Sequence, residues 1–425
     1  MPDPGYPTSL GNWQDPPLNR WSFLHVDRIL CTAPVGRCGA PTHRFATAPR
    51  ELEGQEIDSQ EIDTVPVARV SGHPGTVADV LRDSETDAFV VLHRGVLVHE
   101  SYPNANPGEM PANSRHLLMS VTKSFVGAVT GILADRGILE LDGQVTRHVP
   151  EVIGSGYDGA TIRHLLDMRS GIALSEQYLN PDADVRVLEH AAGWRPYRPG
   201  LPTSTYECVS RLPADGPHGG GFRYRSCETD LLGWVCERAS GSDMATLLSR
   251  LIWRRLGMEN DAYIAVDLAG TAVHDGGLCA TARDVARFGQ LLLDDGRTVS
   301  GEQILPAGWT GDVLAGAPDG RDAFTATSSI ETGMPGGHYR HQFWVPFADG
   351  RVLLALGIHG QMVFVDQLTG TVGVKLSSWP MPQDAVRFHD SLSMFRAIAA
   401  RLAGTAQPHP DQTRTDHFAP RPQDT

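Results

Sequence analysis

In Ser120-Val121-Thr122-Lys123 a hydroxyl and an amine stand three residues apart, where a polar segment gives way to an apolar run. Residues i and i+3 share a helix face, so Ser120 Oγ and Lys123 Nζ can meet. A serine is a poor nucleophile at neutral pH and needs a neighbouring base. Lysine serves as that base if burial holds it neutral. Ser120 falls in the first helical turn, where free N–H groups and the helix dipole favour developing negative charge. A bare S-x-x-K also occurs by chance on solvated helices. Here Phe125, Val126, Val129, Ile132 and Leu133 follow at helical spacing as far as Gly137, which predicts a buried helix.

Such a hydrolase needs a second acid/base group and a second N–H for the oxyanion. Tyr224, in Phe222-Arg223-Tyr224-Arg225-Ser226, follows Gly219-Gly220-Gly221 and precedes an apolar helix. It is a candidate proton relay, with a surface tyrosine as the alternative. Gly357-Ile358-His359-Gly360-Gln361 joins two apolar runs. Glycine there lets a strand edge approach a ligand and aims the Ile358 N–H at a substrate carbonyl. A tight hairpin explains the same letters, and both readings can hold.

Other signals fall away. Gly154-Ser155-Gly156-Tyr157-Asp158-Gly159 matches G-x-G-x-x-G but has no βαβ unit around it, so it reads as a turn. No G-x-S-x-G nucleophile elbow and no H-E-x-x-H occurs. His338 and His341 read as solvated strand-rim residues, and neither metal nor cofactor is expected. A net charge of −14 without a long basic run argues against nucleic acid and anionic membranes. No apolar run reaches the roughly 18 residues of a membrane span, and the first residues lack a secretory pattern. Six cysteines without a C-x-x-C pair read as reduced thiols of a cytoplasmic protein.

These residues need a frame. Residues 1–75, rich in Pro, Gly and acidic side chains, read as an extended arm. Residues 88–93 and 96–100, with a turn at Arg94-Gly95, predict a hairpin. Thr161 to about Gly241 reads helical, and Ala280 to Asp294 reads as a helix capped by Thr281. Phe343–Phe347, Val352–Ile358, Met362–Val365 and Val372–Leu376 read as successive antiparallel strands. A helix from about Asp384 to Leu402 closes the domain, and residues 405–425 read as a disordered tail. The expectation is an α/β (α+β) fold. Residues 1–160 and 275–404 form one antiparallel sheet flanked by helices, and 161–274 form an all-helical insert.

Ser120-Val-Thr-Lys123, Tyr224-Arg-Ser226 and Gly357 to Gln361 occur in the order and rough spacing of serine β-lactamase-like hydrolases. That family includes penicillin-binding proteins, class C β-lactamases and carboxylesterases. Further stretches resemble its 6-aminohexanoate-dimer (nylon-oligomer) hydrolase branch. They are Trp13 to Pro17, Asn19-Arg20-Trp21, His116 to Lys123, Gly193-Trp194-Arg195 and Val374 to Pro380. The resemblance implies a β-lactamase/transpeptidase-like fold and an acyl-serine route on small esters or linear amides, with a homodimer allowed. Ser120 attacks, Lys123 takes its proton, Tyr224 protonates the leaving atom, and the Ser120 and Ile358 N–H groups hold the oxyanion. Tyr178 matches a loop tyrosine that closes over substrate. Glu189 matches an acid at the substrate's amino end, a solvated glutamate being the alternative. Ile358-His359-Gly360 stands in place of K-T-G, which weighs against β-lactam recognition. Asp275 stands where the branch has asparagine, and Arg225, Cys227 and Glu228 make the rim more charged. Acyl transfer to an amine or alcohol needs the same residues. A catalytically silent binding or sensor protein is the reading from another class.

Overall fold

A computed structural model describes residues 8–47, 59–70, 72–103, 111–326 and 333–404. The expected tail, 405–425, and parts of the arm lie outside the described residues. An eight-stranded sheet runs in the order His338–Arg340, Phe343–Val345, Val352–Gly357, Gln361–Asp366, Thr371–Ser377, Thr86–His93, Val96–Ser101, Ala46–Thr47. All neighbours are antiparallel except the last pair. The expected hairpin closes through Arg94 and Gly95, at φ 48° and 79°, the paired left-handed conformation of a two-residue turn.

Side chains alternate across this sheet and both faces are buried. On Gln361–Asp366, Met362 and Phe364 join one core, and Val363 and Val365 the other. The terminal helix Ala385–Leu402 covers the first face, where Phe395 stacks on Phe364 at 5.2 Å. Helices Val121–Asp135 and Ala282–Leu293 cover the second, meeting through Phe125 and Phe288 at 3.9 Å. Thr281 caps the latter helix as expected, accepting from the Asp284 N–H at 3.2 Å.

A second sheet corrects the expectation of an all-helical insert. Ala262–Ala265 is a strand, paired with Thr32–Val35 on one side and Leu278–Ala280 on the other. Its four residues alternate between two cores, and its partner lies in the arm that read as irregular, so no local pattern announced it. The remaining helices of that stretch include Ile162–Leu166, Asp184–Ala191, Thr205–Val209 and Ser226–Ser240. The arm thus builds structure: besides its strand, Trp13 and Phe23 pack with Trp194 in a core of their own.

Candidate active site

His116–Leu117 pairs with Leu278–Ala280, and two residues later the chain turns into the Val121–Asp135 helix. Met119 makes the turn at φ 48°, a conformation that a side chain of this size adopts only where surroundings impose it. Ser120 caps the helix, yet its Oγ makes no capping bond and is left for other work. Every residue from Val121 to Leu133 is buried, so Lys123, at 1% exposure, is carried into the core by its helix.

Lys123 Nζ donates to Ser120 Oγ at 2.8 Å and to the Asp275 carbonyl at 2.7 Å. The Asp275 carboxylate lies 3.8 Å away, and the Tyr224 ring centroid 5.3 Å. Ser120 and Lys123 also lie close enough to the Tyr224 hydroxyl to pull its pKa down. The Tyr224 ring stacks on Trp344 at 5.2 Å and meets Tyr339 edge-on at 6.1 Å. Ser120, Lys123 and Tyr224 therefore form one cluster.

The charge state of this cluster departs from expectation. Burial penalises the Lys123 ammonium, but the Tyr224 oxygen and the carboxylates of Asp275 and Glu176 outweigh it, so Lys123 is held above the ordinary lysine range. Burial likewise pushes the Tyr224 phenol up, against the pull of Lys123. Burial alone therefore does not hold Lys123 neutral. Acids contributed by distant segments decide its charge.

A cavity of about 1050 Å³ opens over the cluster, lined by Ser120, Tyr178, Tyr224, Trp344 and Ile358 among others. Ile358 begins a tight turn in which His359 and Gly360 are left-handed, at φ 59° and 90°. A side chain at Gly360 would strike the Trp379 ring at 2.2 Å. Gly357 lies against the segment before Ser120, where an added Cβ would meet the Leu118 carbonyl at 2.7 Å. The strand edge thus touches the serine turn directly. Behind it, Gln361 Nε2 donates to Ser377 O at 2.7 Å, and His359 Nδ1 bonds Trp379 O at 2.7 Å. Both bonds clamp the turn.

Tyr178 lines the cavity and donates its hydroxyl to Glu176. Glu176, which the sequence reading missed, also accepts from the Ser226 N–H at 2.6 Å and the Ser226 hydroxyl at 2.5 Å. It thereby ties the Tyr178 loop to the first turn of the helix that follows Tyr224, where a carboxylate is favoured. Burial raises its carboxyl, with Lys123 opposing. Nothing local marks Glu176, because its other partner, Ser226, is 50 residues away.

The solvated reading of Glu189 is corrected by its burial. Glu189 is neither solvated nor among the residues that line the cavity. At 8% exposure it is bound by Arg186 at 2.8 Å and by Arg195. Arg186 in turn donates to the Tyr178 carbonyl and lies over the Tyr178 ring at 5.8 Å. Glu189 thus braces the tyrosine loop. His338 and His341, expected at a solvated rim, are buried, and His341 Nε2 meets Asp312 at 2.5 Å.

The β-lactamase family model matches residues 76–392. The chain belongs to that family. It is 38% identical over 381 residues to the 6-aminohexanoate-dimer hydrolase of Paenarthrobacter ureafaciens, covering 89% of this chain and 90% of that protein. Esterase EstB of Burkholderia gladioli is 31% identical over 171 residues, 37% of this chain and 41% of that protein. A solved Bacillus anthracis protein, provisionally named a 6-aminohexanoate-dimer hydrolase, superposes with a TM-score of 0.82 at 28% identity. It covers 96% of this chain and 100% of that one. The mixed sheet with its flanking helices is the β-lactamase and penicillin-binding-protein fold, and the chain is a serine hydrolase. Among the described residues no helix is long and apolar enough to cross a membrane.

Proposed function

We propose that this enzyme cleaves small esters and linear amides through an acyl-serine formed on Ser120. The observation that carries the reading is the 2.8 Å contact between Lys123 Nζ and Ser120 Oγ at the floor of a cavity that Tyr224 shares. Once the Lys123–Tyr224 pair has lost one proton to solvent, Ser120 Oγ bonds to the substrate carbonyl carbon while its own proton passes to that pair. The N–H groups of Ser120 and Ile358 hold the oxyanion, one at a helix start and one on the touching strand edge. As the intermediate collapses, the bond to the leaving nitrogen or oxygen breaks and Tyr224 returns the proton to it. Water then attacks the acyl-serine by the reverse relay and frees the acid.

Tyr178, at the cavity wall, is the residue that contacts the scissile group from above, held by Glu176 and Arg186. Six free thiols support a reducing, cytoplasmic setting. Ser120→Ala tests the central claim. It should lower turnover of p-nitrophenyl esters by roughly 10³-fold or more with the thermal melt unchanged, because loss of one member disables a catalytic unit. Retention of more than a few per cent of wild-type activity would remove Ser120 as the nucleophile.

A further inference from the structure

Asn19 and Phe23 belong to the arm, outside the residues 76–392 that the family model matches, yet both are wholly buried. The Phe23 carbonyl accepts from the Leu117 N–H at 2.8 Å, just before Ser120. The Phe23 ring meets His116 edge-on at 6.1 Å and His359 edge-on at 5.1 Å. His116 precedes Leu117 in the serine strand, and His359 follows Ile358 in the strand-edge turn. One aromatic ring therefore touches both segments that carry the oxyanion N–H groups.

Both imidazoles are themselves fixed. His116 Nε2 bonds Asp87 at 3.2 Å, and its Nδ1 bonds the Leu117 carbonyl at 2.8 Å. His359 Nδ1 bonds the Trp379 carbonyl at 2.7 Å, and the His359 N–H donates to the Pro382 carbonyl at 2.9 Å. Asn19 Nδ2 donates to that same Trp379 carbonyl at 3.0 Å and to the Ser378 carbonyl at 3.2 Å. The Phe23 N–H donates to the Asn19 carbonyl at 3.1 Å, which joins the two residues in one helical turn. Trp13 backs that turn: its ring meets Phe23 edge-on at 6.0 Å, and its Nε1 donates to the Trp194 carbonyl at 2.9 Å. A single turn of the arm is thus bonded to the serine strand and to the frame of the strand-edge turn. Close-packed interiors transmit a displacement rather than absorb it.

We propose that Phe23 and Asn19 are positioning residues for turnover: the arm turn that carries them sets the separation of the Ser120 and Ile358 N–H groups. The inference rests on the acyl-serine reading for the role of those two groups. A reacting geometry displaced by about 1 Å costs roughly 10²-fold, so a small shift at this ring reads out in kcat. Neither Phe23 nor Asn19 lines the cavity, so ground-state binding of substrate is left in place.

Phe23→Leu tests this in the full chain, because it keeps a buried apolar side chain and the backbone bonds but removes the ring contacts. It should lower kcat on a p-nitrophenyl ester by roughly 10- to 100-fold and leave KM within about threefold of wild type. Phe395→Leu is the control: equally buried, in a different core, it should lower the melting midpoint and leave kcat within about threefold. Asn19→Leu, which removes the donor to both carbonyls, should lower kcat in the same direction, and an unchanged kcat removes Asn19 from the proposal. A merely structural Phe23 would behave as Phe395 does. A folded Phe23→Leu enzyme with kcat within about threefold of wild type overturns the proposal, and so does an equal loss of kcat in Phe395→Leu.

Hydrogen exchange read by mass spectrometry separates this claim from the acyl-serine reading, because it needs no turnover. Peptides spanning 115–120 and 356–361 should both exchange faster in Phe23→Leu than in Phe395→Leu, compared at equal global stability. If Ser120→Ala retains turnover, the acyl-serine reading fails, and faster exchange in both peptides still supports the arm turn as the link between them. Unchanged exchange in both peptides, with turnover that depends on Ser120, sinks the role of the arm alone.

Discussion

Gly357→Ala puts the contact between the strand edge and the serine turn to direct test. Gly357 has φ −137°, extended backbone that alanine adopts freely, so any effect comes from contact rather than strain. The new Cβ would lie 2.7 Å from the Leu118 carbonyl oxygen, and 3.0 Å from Cβ of Met119 and of Gln361. Moving from 2.7 Å to an ordinary contact of ~3.4 Å requires a shift of about 0.7 Å. Leu118 lies two residues before Ser120, and Gly357 one before Ile358, so the shift separates the two N–H groups assigned to the oxyanion. A bond of about 2.9 Å stretched by that amount ceases to be a hydrogen bond. Complete loss of one oxyanion donor costs roughly 10²–10³ in kcat. Relaxation shared between two segments makes about 10- to 100-fold the expected loss, with roughly 1–3 kcal/mol of stability lost to overpacking. The assay is kcat on a p-nitrophenyl ester well below the melting midpoint, with a thermal melt alongside. Gly311→Ala is the control: it lies in the helix Trp309–Ala315 with nothing within 4 Å of its added Cβ, and should leave kcat unchanged. A folded Gly357→Ala protein with kcat within threefold of wild type would refute the reasoning.

Because Lys123 and Tyr224 are both held above their ordinary ranges, the free enzyme at neutral pH carries a proton on each. For amides kcat/KM should therefore climb about tenfold per unit from pH 7 to 9, and a plateau beginning at or below pH 7 would contradict this. Glu189→Gln weakens the hold of Arg186 on the Tyr178 loop. It should lower kcat/KM by the same factor for an aminoacyl ester and its neutral isostere, whereas a changed ratio would restore Glu189 as a reader of the substrate ammonium. Lys375 is wholly buried, and burial lowers its pKa to about 7 despite Asp87, while Nζ donates to Ser377 Oγ at 2.6 Å. The cost of charging it is borne in full below pH 7 and fades as pH rises toward the unfolded value near 10.4, up to about 5 kcal/mol at 1.36 kcal/mol per unit. Urea melts should accordingly show Lys375→Met stabilised relative to wild type at pH 6, with the gain shrinking by pH 9–10.

The sequence alone determined what is local. The i, i+3 spacing of Ser120 and Lys123, the apolar run to Leu133 and the left-handed pair at Arg94-Gly95 each specify their own conformation within a few residues. Short apolar runs between Phe343 and Leu376, broken by turns, made these strands of the sheet legible. Tertiary structure alone decided the electrostatics. Lys123 owes its charge state to Tyr224, Asp275 and Glu176, roughly 100, 150 and 50 residues away, and Glu189 is held by Arg186 and Arg195. The strand Ala262–Ala265 lies between Leu278–Ala280 and Thr32–Val35, the latter brought in from the far end of the chain. Backbone conformation is fixed by neighbours in sequence. The field at a buried side chain, and the pairing of a lone strand, are fixed by neighbours in space, which the fold must first bring together.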